Sequence, residues 1–141
     1  MITVQERIYS RLTGDTTATV GLQALLGSSG RIVAGLDYDL LKAPCIAFNN
    51  LTNIPGDINS DNVQIDVEFY TFKVFADNCI KIISRLRLLL DRYTFAETSE
   101  AGVLRCVWDS DGPDLFDEDL KVRRKDARFR IYSMPKAVGP V

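Results

Sequence analysis

The chain contains no histidine in 141 residues. That absence removes the commonest general base, both histidine-paired nucleophile arrangements and the commonest zinc ligand. Catalysis would have to rest on carboxylates, lysine or a metal held by oxygen. Cysteine is scarce: Cys45, Cys79 and Cys106 stand far apart with no CxxC pair. An odd count without a framework suits a reducing compartment and buried small apolar side chains. The Asn50-Leu51-Thr52 sequon carries no weight without a leader, and none is expected, because Met1 to Leu12 show no basic start followed by an apolar run. No stretch approaches the ~20 apolar residues of a membrane helix, so no membrane partner is expected. Charge of one sign is also missing. A net charge of −2 leaves neither a nucleic-acid nor a membrane-surface footprint over the whole chain. P-loop, GxGxxG, GxSxG and HExxH motifs are absent, and Gly27-Ser28-Ser29-Gly30 lacks the Lys-Ser/Thr that would make it a phosphate cradle.

What is present is enough for one core. Apolar residues make up 46% of the chain, which predicts a single domain over 1–135 and a tail over 136–141. Thr3-Val4-Gln5-Glu6 reads as a capping box and Gly14 as a left-handed stop, giving a helix over about 3–13. Asp15, Thr16 and Thr17 offer caps for a short second helix ended by Gly27. Arg31-Ile32-Val33 reads as a short strand, and Pro44 opens another from Cys45 to about Thr52. After the turn signal Pro55-Gly56-Asp57, Val63, Ile65, Val67 and Phe69 alternate with Gln64, Asp66, Glu68 and Tyr70. This period of two predicts a strand with Phe69 inward, paired antiparallel with the previous one.

Asp77 or Asn78 caps a long helix reaching about Arg92, apolar through Ile80, Ile83, Leu86 and Leu90. Its basic face is either solvated or in contact with an acidic neighbour. Thr94 to Gly102 reads as a connection and Val103 to Asp109 as a strand. Ser110 to Leu120 reads as a loop. A long strand from about Lys121 to Met134 follows, with Ala127, Phe129 and Ile131 inward and Pro135 ending it. The order α-α-β-β-β-α-β-β predicts an α+β fold, a single antiparallel sheet with a long helix and a short N-terminal helical pair packed on one face.

One constellation has the look of a site. Six carboxylates fall between Asp109 and Asp119, a donor set for a hard cation. The EF-hand pattern fails, since Gly112 is at loop position 4 and Leu120 at position 12. An acidic connecting loop, a weak metal site holding a Mg²⁺-dependent hydrolase on Asp109, Asp111, Asp114 and Asp117, and a partner contact are the three readings. Lys121, Arg123, Arg124 and Lys125 follow at once. The acidic residues Asp114, Asp117, Glu118 and Asp119 can pair with this basic run within one subunit, or head to tail between subunits.

Three segments, taken in order, resemble the tail-terminator (tail-completion) family of long-tailed phages and prophages. They are Ala43-Pro44-Cys45-Ile46-Ala47-Phe48; the strand Val63 to Tyr70 leading to a helix ending Leu88-Leu89-Leu90-Asp91; and Asp114-Leu115-Phe116-Asp117-Glu118-Asp119 leading to Arg128-Phe129-Arg130-Ile131-Tyr132. The basic run at Arg123-Arg124-Lys125 is heavier than that family's pattern, and the loop before Pro44 is less compact. The resemblance implies a non-enzymatic virion protein, assembled in the host cytoplasm and needing no cofactor. It implies a hexameric ring at the head-proximal end of the tail tube, which halts tube growth, joins tail to neck and contacts the tube protein and the neck (connector) proteins. DNA would pass through the lumen without specific binding, past Gln64, Asp66 and Glu68 as candidate lumen-facing residues. A head-completion or adaptor ring of the neck is the alternative within the same class.

Overall fold

The computed structural model describes residues 3–27, 31–35, 42–54, 65–96 and 101–135. The expected turn at Pro55-Gly56-Asp57, the loop at Ser28 to Gly30, Val63, Gln64 and the tail 136–141 lie outside them. Helix α1 (Val4–Thr13) starts where Thr3 Oγ1 accepts the Glu6 amide at 3.1 Å. Gly14 does not stop it in the left-handed region, since its φ is −76°; the Gly14 N–H instead bonds back to the Ser10 carbonyl, and the Asp15 N–H to the Leu12 carbonyl. Helix α2 (Leu22–Leu26) does end on a left-handed glycine, Gly27, at φ 84°. Strands β1 (Ile32–Ala34), β2 (Cys45–Ile54) and β3 (Asp66–Phe75) precede α3 (Cys79–Leu90), after which come β4 (Tyr93–Phe95), β5 (Ala101–Asp117) and β6 (Val122–Pro135).

The sheet has six strands in the order β1-β2-β3-β6-β5-β4. It is mixed, not antiparallel as expected, because β1 runs parallel to β2 with Val33 opposite Ala47. The chain between these two strands must return to the same end of the sheet, as any parallel pair requires. The sheet curls into a half-barrel, and among the described residues there is no long helix. α3 has 12 residues, ending where Arg92 takes φ 61° and turns the chain into β4. A strand of three residues is too short to leave a readable period, which is why β4 reads as connection in the sequence.

The helices cover one face. Ile8, Leu12, Leu22, Ile82, Leu86 and Leu90 meet Phe48, Phe72, Phe129 and Ile131 from the sheet, all almost fully buried. Phe48 stacks on Phe72 at 5.4 Å between centroids, and Phe72 meets Phe129 edge-on at 5.2 Å. The inward row of β3 is Tyr70, Phe72 and Val74, so the row expected to point inward points the other way. Phe69 shares its face with Thr71 and Lys73 and is only half-buried. The alternation between 65 and 69 is real, but it sits beyond the part of the strand the helices cover, so an apolar row there does not mark the core. A smaller cluster of Cys45, Ala47 and Phe75 lies on the helix-free face.

Phe129→Ala should lower unfolding stability by ~3–5 kcal/mol. Phe69→Ala should cost roughly 1–2 kcal/mol, as a partly exposed ring does. Urea titrations of both variants check which side of the sheet each ring occupies; equal losses would contradict the placement of Phe129 inside and Phe69 outside.

Candidate functional site

The acidic segment is not a loop. β5 continues to Asp117 and pairs with β6 along its whole length, with Asp114 opposite Lys125, Phe116 opposite Arg123 and Asp117 opposite Val122. Aspartate is a poor strand former, but opposite charges directly across an antiparallel pair offset that cost. Asp114 meets Lys125 at 3.3 Å and Arg123 at 3.7 Å. Arg124 lies between Asp117 at 3.8 Å and Asp126 at 3.3 Å. The acidic and basic runs therefore pair within the chain at these positions. Asp117 is buried, and its Oδ1 accepts the Leu120 amide at 2.8 Å, which closes the turn on which Glu118, Asp119 and Lys121 stand exposed. Lys121 completes that turn at φ 52°.

The same geometry bears on the metal-site expectation. Asp109, Asp111, Asp114 and Asp117 are strung along a strand with two register shifts, and Asp109 reaches away to Arg130 at 3.2 Å. Among the described residues no three His, Cys, Asp or Glu side chains gather as a metal would need. Asp111 accepts from Trp108 Nε1 at 2.9 Å, Asp91 accepts the Trp108 amide at 2.9 Å, and Arg87 lies over the indole ring at 3.9 Å. These contacts tie α3 to β5 in one arginine–aromatic stack. Only Trp108's place on the inward side of β5 is legible from the sequence; its partners are not.

β4 covers only Leu104 to Cys106 of β5. From Val107 to Asp117 the outer edge of β5 has no strand beside it among the described residues. Bulges at Trp108/Ser110 and Asp111/Asp114, together with Pro113 and the aspartates, make this edge a poor template for a further strand. Its apolar side chains are nonetheless open, with Leu115 43% and Phe116 58% exposed.

The expected lumen residues divide. Gln64 lies outside the described residues. Asp66 and Glu68 follow the parity of Tyr70 and Phe72, on the helix-bearing side of the sheet. The helix-free face is instead cationic. Lys73, Arg105, Arg124, Arg128 and Arg130 fall on it by alternation and register, against Asp109, Asp117 and Asp126. The chain as a whole is net negative, so its charge is separated between surfaces.

A cavity of about 520 Å³ lies between α1, the α1–α2 connection, α3 and β4, lined by Arg7, Arg11, Asp15, Arg85 and Tyr93 among others. Its charges are committed to structure. Arg85 binds Asp15 through two hydrogen bonds of 2.8 Å, and Asp15 also accepts the Leu22 amide at 2.8 Å, capping α2 from seven residues upstream. Arg11 donates to the Leu89 carbonyl and lies 3.8 Å from the Tyr93 ring centroid. The three thiols are buried, and burial pushes those of Cys45 and Cys106 up, away from the reactive thiolate. No helix among the described residues is long and apolar enough to cross a membrane.

The hydrogen bond from Arg85 holds the Asp15 carboxyl below its usual value of 3.8, at about 2, against the opposing effect of burial. A folded pKa below the unfolded one contributes stability that is fully present above about pH 4 and lost as pH falls through about 2. Asp15→Asn should lower stability at neutral pH by about 1–2 kcal/mol after allowance for solvent screening. It should also flatten the loss of stability in that acid window, as thermal melts across it would record.

No family model matches the chain, and no curated protein matches it. Among solved structures, a chain of the virion of a native gene transfer agent (GTA) particle is similar over 93% of this chain and 94% of its own, with a TM-score of 0.67 at 14% sequence identity. At that identity the likeness is one of fold.

Proposed function

We propose that this protein is a structural subunit of a phage-like particle, and more specifically a ring-forming subunit of the tail terminator, with no catalytic role. The observation that carries the reading is the end-to-end likeness of fold to a chain of a GTA virion. The ordered resemblance of three sequence segments to the tail-terminator family adds to it. The chemistry of the surface agrees. Charged side chains are spent on cross-strand and helix-capping pairs rather than gathered round a reactive centre. The exposed features are a hairpin turn, an uncovered cationic sheet face and apolar side chains such as Leu88 and Phe116, which are materials for contact with other proteins. In this reading the copies close into a ring, expected to be a hexamer, that sits in the particle between tail tube and neck. One ring face docks on the tube and the other differs from it, so that growth stops for geometric reasons. DNA crosses the lumen without specific binding.

Light scattering behind a sizing column, with negative-stain images of the same peak, tests this. The expected outcome is a closed oligomer with a central hole that binds purified tube protein. A protein that stays monomeric at every concentration and binds neither tube nor neck protein would overturn the reading.

A further inference from the structure

The helix-free face of the sheet carries a patch that nothing in the described chain covers. At one end, Ile54, Val67, Tyr132 and Arg105 stand side by side across β2, β3, β6 and β5. The next row on that face is Thr52, Phe69, Arg130 and Val107. Val67, Phe69 and Tyr132 are half-buried and Ile54 is 50% exposed, so an apolar centre lies open. Arg105 and Arg128 stand beside it, exposed and without an ion pair among the described residues.

The far end of the same strands presents the complementary features. The hairpin turn joins exposed Leu115 and Phe116 to Glu118 and Asp119, also exposed and without an ion pair among the described residues. Lys121 tempers the charge of the turn without cancelling it. Patch and turn cannot meet within one copy. Val107 and Asp117 lie on one strand, ten residues apart in sequence, which is roughly 30 Å of extended chain. Two complementary surfaces at opposite ends of one subunit define a head-to-tail contact, the kind that closes into rings.

We infer that the hairpin turn of each copy docks on the helix-free patch of the next. Phe116 then lies against Phe69 and Val67, with Leu115 on the opposite face of its strand, and Glu118 and Asp119 face Arg105 and Arg128. The inference rests on the ring-forming reading and names its contact.

A charge exchange tests it. Glu118→Lys with Asp119→Lys should raise the concentration for half-assembly roughly tenfold or more, and Arg105→Glu with Arg128→Glu should do the same. The chain carrying all four substitutions should recover assembly, which a merely misfolded variant would not do; far-UV spectra and thermal melts confirm that each variant folds. If the wild-type chain assembles and neither reversal weakens it, or the combined variant fails to recover, the contact lies elsewhere and this inference falls while the ring reading stands. A wild-type chain that never assembles, alone or on tube protein, overturns this inference, and one that also binds neither tube nor neck protein overturns both. Phe116→Ala, which leaves the charges in place, should weaken assembly independently.

Discussion

Strand β6 is the element on which the remaining structure depends. It pairs with β3 on one side from Arg124 to Ser133, and with β5 on the other from Val122 to Pro135. Strand alternation then sorts its side chains between Asp126 and Ile131: Ala127, Phe129 and Ile131 go to the helices, and Asp126, Arg128 and Arg130 to the open face. A slip of one residue would put arginines under α3 and phenylalanine in solvent, so the core and the charged surface are fixed by one register. The acidic half of the β5–β6 hairpin follows from it as well, because Asp114 and Asp117 are tolerable in a strand only where Lys125 and Arg124 stand within reach.

The sheet ends in two three-residue strands, β1 and β4, which leave much of β2 and β5 uncapped by a neighbour among the described residues. The two exposed edges are treated differently. β5 carries bulges, proline and aspartate, devices that discourage uncontrolled strand pairing. The end of β2 carries Asn53 and Ile54 without charge, beside the half-buried Val67. Helix attachment follows a separate logic. Asp15, Arg85 and the Leu22 amide form one buried knot that joins the α1–α2 connection to α3, and Arg87 on Trp108 joins α3 to the hairpin. These contacts hold the helical layer to one side of the sheet.

In the proposed reading the protein works by shape. An assembly subunit needs surfaces that recognise two different neighbours and do not recognise themselves in an open-ended way. In the proposed reading, a turn bearing acid and phenylalanine at one end of the sheet and an apolar patch flanked by arginine at the other supply the contact between copies within a single domain.

By itself the sequence determined the core strand β6, the inward triad Ala127, Phe129 and Ile131, the capping of α1 by Thr3, and the antiparallel pairing of β2 with β3, since periodicity, capping and turn chemistry are local. It also established that histidine chemistry was unavailable. Tertiary structure decided the rest. Which face of β3 is inside depended on where the helices end, and the alternation Ile65, Val67, Phe69 carries no information about that. The parallel placement of β1 depended on its pairing with β2, Ile32 with Ile46. The strand character of Ser110 to Asp117 depended on charges arriving from the opposite strand, and the role of Asp15 on an arginine seventy residues away. Each of these is a contact between residues remote in sequence, and no local pattern records which remote residue will arrive.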